Sequence, residues 1–80
     1  MTAGTVIIRA AIGADVAALH RLAALDSARV PSGELLVAET GGALVAAHAP
    51  RSGATIADPF RHTAGVVELL RLRGSLQRAA

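Results

Sequence analysis

Residues 34–49 read ELLVAETGGALVAAHA and carry the clearest local signal for the fold. The runs at 34–40 and 43–49 are short and apolar, which is typical of buried β-strands. Gly41 and Gly42 lie between them, and both can adopt the positive φ angles that a two-residue hairpin turn requires. The stretch therefore predicts a β-hairpin at the centre of the chain.

The turn also sets the register of the hairpin. Its predicted pairs are Thr40 with Ala43, Ala38 with Val45, and Leu36 with Ala47. In this register one face of the hairpin carries Leu35, Val37, Leu44, Ala46 and His48. Both faces are largely apolar, so we expect the hairpin to be covered on both sides.

Strand and helix patterns extend outward from the hairpin. Towards the N-terminus, residues 5–10 (TVIIRA) predict a strand, and apolar residues at three- and four-residue spacing predict a helix over about 14–27. Towards the C-terminus, residues 54–58 (ATIAD) predict a short strand that a proline ends. Thr63 is placed to cap a last helix that continues to about Gln77.

The resulting element order is β-α-β-β-β-α. Tight turns make the middle three strands antiparallel, so we expect one α+β domain over residues 1–80, with helices packed on a small, mainly antiparallel sheet. The predicted apolar face of the last helix consists of Val66, Leu69, Leu70, Leu72 and Leu76. A domain of this size buries a modest fraction of its surface and would gain stability from a partner.

Composition argues against several classes of protein. The chain has no cysteine, which excludes disulfide scaffolds and thiolate metal sites. Its net charge is only +2, which argues against nucleic acid as a partner. Arg71, Arg73 and Arg78 lie near the C-terminus of the predicted last helix, where positive charge interacts favourably with the helix dipole. We find no membrane span and no signal peptide pattern, and expect a cytoplasmic protein. Arginine without lysine, with abundant alanine, is typical of a GC-rich bacterial genome.

Three segments together resemble the N-terminal half of the GNAT family of N-acetyltransferases. VIIRAAIGADVAALHRLAALD looks like the first strand and helix of that family, and LLVAETGGALVAAHA looks like its second and third strands. ATIADPFRHTAGVVELLRLRG looks like its fourth strand with the cofactor-binding helix. The resemblance implies half of an acyl-CoA N-acyltransferase fold.

The family places Gln/Arg-x-x-Gly-x-Gly/Ala after its fourth strand, where backbone N–H groups cradle the pyrophosphate of acetyl-CoA. The corresponding residues 61–66 read RHTAGV. Arg61 matches and is the implied cofactor-binding residue. Ala64 and Val66 add bulk where the motif has glycine or a small residue, so the resemblance implies a degenerate acetyl-CoA site.

The resemblance implies a pantetheine cleft completed by a fifth strand, which we do not expect within residues 1–80, and the 80 residues contain no tyrosine to act as general acid. We therefore expect no catalytic residue, no bound cofactor, and a non-catalytic half-domain that acts by self-association or protein–protein interaction. The expected contact, as a homodimer or with another protein, is the exposed edge of the fourth strand. The alternative is an acetyl-CoA-dependent N-acetyltransferase completed by a second chain, with Arg61 and Thr63 at the coenzyme.

Other polar residues have structural interpretations. His20, His48 and His62 lack metal-ligand spacing, so we expect no metal site. His48 lies near Thr55 in the predicted sheet and can hydrogen-bond to it. Glu39, near the tip of the hairpin, is expected to be solvated, and its functional alternative is a general base.

Overall fold

The computed structural model of the chain describes residues 5–79 and contains one antiparallel sheet. Its strands are β1 (Val6–Ala10), β2 (Leu36–Thr40), β3 (Ala43–His48) and β4 (Thr55–Ala57), which lie side by side in that order. A 3-10 turn at Gly13–Asp15 leads into helix α1 (Val16–Leu25), and helix α2 (Ala64–Ala79) follows β4. The predicted α+β class and element order are confirmed. Neither helix in this part of the chain is long and apolar enough to cross a bilayer.

The hairpin of β2 and β3 is buried on both of its faces, as predicted. Helix α1 packs on one face, in a core that contains Leu19, Leu22, Leu35, Val37, Leu44, Ala47 and Ile56. Helix α2 packs on the other, in a core that contains Leu36, Ala38, Val45, Ala46 and Leu70. The hairpin thus forms the middle layer of three, and most of the apolar burial of the domain involves it.

The predicted register of the hairpin is right at the turn and wrong beyond it. Gly41 and Gly42 have φ angles of +58° and +82°, and Thr40 pairs with Ala43. A β-bulge follows, in which Val45 is the extra residue of β3. Beyond the bulge the pairs are Ala38 with Ala46, Val37 with Ala47, and Leu36 with His48, each one residue later on β3 than predicted.

The bulge turns the later side chains of β3 to the opposite faces from those predicted. Ala46 packs with Leu36 on the α2 side, and Ala47 packs with Val37 on the α1 side. The ring of His48 likewise lies against α2. Both faces of this strand are apolar and built from small residues, so the hydrophobic pattern alone does not distinguish one register from the other.

The predicted apolar face of α2 is wrong for three of its five residues. Leu70 is fully buried and Val66 is half-buried, as expected. The remaining three, Leu69, Leu72 and Leu76, are 48%, 57% and 61% exposed. The side of α2 that contacts the sheet is made instead by Val66, Val67, Leu70 and Gly74.

Gly74 allows the last turns of α2 to approach β3 closely. A β-carbon at this position would lie 2.9 Å from Cδ2 of His48 and 3.3 Å from Cβ of Pro50. The first distance is shorter than real β-carbon contacts, and both His48 and Pro50 are buried. The approach of helix and sheet at this point therefore depends on the absence of a side chain.

We expect Gly74→Ala to lower the free energy of unfolding by about 1–3 kcal/mol, because overpacking outweighs the gain in helix propensity of about 1 kcal/mol. Gly65→Ala is the matched control, since it lies in the same helix and a β-carbon there would meet nothing within 4 Å. Urea unfolding of both variants measures the difference. Equal midpoints for the two would contradict the close packing of Gly74 against His48 and Pro50.

Candidate functional site

Arg61, the predicted cofactor-binding residue, lies in the turn between β4 and α2. The side chain of Asp58 organises this turn: its Oδ1 accepts the backbone N–H of Phe60 at 2.8 Å, in an Asx turn. The N–H of Arg61 donates to the carbonyl of Asp58 at 3.3 Å. Thr63 directly precedes α2, as predicted, and its carbonyl accepts the N–H of Val67 at 2.8 Å.

The side chain of Arg61 is paired within the turn. Its Nε lies 3.5 Å from Oδ2 of Asp58, and its side chain is 50% exposed. Such an exposed ion pair contributes little to stability. Its consequence is electrostatic: the guanidinium that the resemblance assigns to a coenzyme phosphate already has a carboxylate beside it.

Two open pockets flank residues 61–63, which line both. The first has a volume of about 560 Å³ and lies between the exit of β4 and the start of α2. Its other lining residues include Asp26, Ala57, Asp58 and Gly65. The second, of about 420 Å³, is lined by apolar side chains from β1, β3 and α2, by Phe60, and by the polar residues Thr40 and 61–63. The first pocket therefore carries two carboxylates beside the N-terminus of α2.

One of these carboxylates belongs to Asp26, at the end of α1. Its Oδ2 accepts the backbone N–H of Ala57 at 3.1 Å. Residues 54, 56 and 58 of this segment point their backbone groups at β3, so the N–H of Ala57 points to the open edge of the sheet. The carboxylate of Asp26 thus accepts a backbone N–H at the open edge of β4, which the sequence predicts to be unpaired. The sequence indicates a turn residue at Asp26 and carries no signal for this contact, which joins residues 31 positions apart.

The structure places the three histidines apart from one another. His20 is exposed on α1, and His62 is exposed between the two pockets. His48 is buried, and its Nδ1 lies 2.8 Å from Oγ1 of Thr55, which confirms the predicted hydrogen bond. Within residues 5–79, no three His, Asp or Glu side chains are grouped as a metal site. Arg71 and Arg73 are exposed on α2, and the side chain of Arg78 lies outside the described residues.

The strongest electrostatic cluster lies away from these pockets, where β1 leads into α1. Arg9 donates from Nη1 and Nη2 to Oδ2 and Oδ1 of Asp15, at 2.8 and 2.9 Å. Oδ2 of Asp15 also accepts the N–H of Ile12 at 2.8 Å. Glu39 lies 3.6 Å from Nη2 of Arg9 and its side chain is 22% exposed, so it is partly buried beside the guanidinium and partly solvated. The cluster joins β1, β2 and the start of α1.

These contacts perturb the ionisation of the cluster. The hydrogen bond from Arg9, followed by the bond from the N–H of Ile12, lowers the pKa of Asp15 from 3.8 to about 2, although burial opposes the shift. Asp15 in turn raises the pKa of Arg9. The charged groups of the cluster pair with one another and with the backbone, so we assign the cluster a structural role.

Comparison with known proteins adds no relative to this description. No protein-family model matches the chain, and no curated protein and no solved structure matches it significantly. The resemblance to the GNAT family therefore rests on the three sequence segments alone.

The lowered pKa of Asp15 predicts a particular acid sensitivity. The carboxylate contributes stability that is complete above pH 3.8, its ordinary pKa, and that is lost as the pH falls towards about 2. We expect Asp15→Asn to be less stable than the unaltered protein at neutral pH and to lose less further stability between about pH 4 and pH 2. Urea unfolding across this range measures both slopes. Parallel pH dependences would rule out Asp15 as the group responsible.

Proposed function

We propose that this chain is a non-catalytic, GNAT-like half-domain that acts by association, as a homodimer or with another protein. The observation that carries the proposal is the state of the turn before α2, where the chain's own carboxylates lie against the groups that a coenzyme would need. Oδ2 of Asp58 lies 3.5 Å from Nε of Arg61, and the carboxylate of Asp26 accepts the N–H of Ala57.

The phosphate end of acetyl-CoA would meet unfavourable charge in this pocket. A pyrophosphate at a helix N-terminus needs free N–H donors and positive charge. Here the pocket contains the carboxylates of Asp26 and Asp58, and Arg61 is its one arginine. Two like charges about 4 Å apart repel by about 1 kcal/mol in water and by about 4 kcal/mol near a protein surface. These values argue against tight binding of a coenzyme by a single copy.

The pantetheine arm of acetyl-CoA would meet an edge of β4 at which one backbone N–H is already hydrogen-bonded. The resemblance implies that this arm lies along β4, where it would need the outward backbone groups of the strand. The N–H of Ala57 is bonded to Asp26, and β4 has only three residues. A coenzyme would have to displace this contact in addition to the pair between Asp58 and Arg61.

Exposed apolar side chains support the associative part of the proposal. Within the described residues, β1, both helices and the turn before α2 each leave large apolar side chains at the surface. Phe60, the only aromatic residue of the chain, is 81% exposed. Single exposed residues are ordinary on protein surfaces, whereas groups of them mark sites of interaction.

Two measurements test the proposal against the acetyltransferase alternative. We expect sedimentation velocity to detect a dimer by about 100 μM and calorimetry to detect no acetyl-CoA binding tighter than millimolar. A stable monomer that recovers no partner from extract would contradict the associative function. Micromolar binding of acetyl-CoA that Arg61→Ala abolishes, and that Arg51→Ala at another exposed turn leaves intact, would favour the enzyme instead.

A further inference from the structure

Three leucines form an exposed line along α2. Leu69, Leu72 and Leu76 are 48%, 57% and 61% exposed and follow one another at spacings of three and four residues. Leu70 and Gly74 contact the sheet, so the three leucines lie on the side of the helix turned away from it. We call Leu69, Leu72 and Leu76 the leucine seam. Their spacing is that of positions a, d and a of a coiled-coil heptad.

We infer that the leucine seam is a two-fold interface with a second copy of this chain, in which the two α2 helices lie parallel. The inference rests on the proposed self-association and names its surface. It commits to the outer face of α2 in place of the edge of β4, which is short and has one N–H bonded to Asp26.

The charged residues that flank the leucine seam favour a second copy of this chain as the partner, with its α2 helix parallel to the first. With Leu69 at position a, Glu68 takes position g and Arg73 takes position e, and both are exposed. In a parallel pair, a residue at g faces the residue five positions later, at e, on the other helix. Glu68 of each copy would thus face Arg73 of the other. Each α2 helix carries both Glu68 and Arg73, so a two-fold dimer forms two Glu68–Arg73 ion pairs and needs no charged residue from any other protein.

The folded domain removes the usual obstacle to so short a seam. An isolated helix of 16 residues is marginal in water, because ordering it costs as much as its hydrogen bonds return. Here α2 is already held on the sheet through Val66, Val67 and Leu70. Association then orders little beyond the surface side chains, and preorganisation of this kind strengthens binding.

The seam is tested first by Leu72→Gln, with Phe60→Gln as the matched control at an exposed apolar residue outside it. Both residues are exposed, so urea unfolding should show that both variants stay folded. We expect Leu72→Gln to raise the dimer dissociation constant at least about tenfold and Phe60→Gln to leave it unchanged. A dimer that Leu72→Gln does not weaken would overturn the seam and leave self-association standing. A wild-type chain that stays monomeric would overturn both.

Two further sets of variants test whether the two α2 helices lie parallel: one introduces a single cysteine, and the other exchanges the charges of Glu68 and Arg73. The chain has no cysteine, so Leu76→Cys introduces one thiol, which a parallel seam places beside its counterpart on the other copy. We expect a reducible dimer on mild oxidation, and none for His20→Cys, which is exposed on α1. Arg73→Glu should weaken the dimer, and Glu68→Arg combined with Arg73→Glu should restore it. Absence of the cross-link or of the restoration would overturn the parallel arrangement.

Discussion

The fold is stabilised chiefly by the removal of water from both faces of the β2–β3 hairpin. Val37, Ala38, Ala46 and Ala47 at its centre have no exposed surface. Alanine side chains are short and fill little of the space between a sheet and a helix. The two helices must therefore lie close to this hairpin if no voids are to remain. Gly74 meets this requirement on the α2 side. Both helices are used to cover the middle of the sheet, and the outer surface of α2 is left to solvent.

The bulge at Val45 links this core to the turn between β4 and α2. Its carbonyl accepts the N–H of Asp58, the last sheet contact before the chain leaves β4. Asp58 then organises the turn and pairs with Arg61. The start of the turn is thus tied to the bulged part of the hairpin, and the side chain of Asp58 makes its contacts within the turn.

Much of this fold could be predicted from local signals, and the errors share a physical cause. Gly41 and Gly42 indicate the hairpin because backbone sterics at positive φ are a local property. The bulge could not be predicted, because two apolar faces built of alanine give the strand no preferred side. Helical spacing predicts Leu69, Leu72 and Leu76 in the core, because it identifies an apolar face and carries no information on what covers that face. The sequence also predicts Arg61 in the turn, where the structure has it, whereas the contact from Asp26 to Ala57 is long-range and has no local signature.

The central claim, that the hairpin is the most protected part of the molecule, is tested most directly by native-state hydrogen exchange. The amides of Val37, Ala38, Ala46 and Ala47 should exchange only through global unfolding, with an opening free energy equal to the free energy of unfolding in urea. The amides of the short edge strand β4 should exchange through smaller openings. If the four hairpin amides exchanged as readily as those of β4, the hairpin would not be the doubly covered core described here.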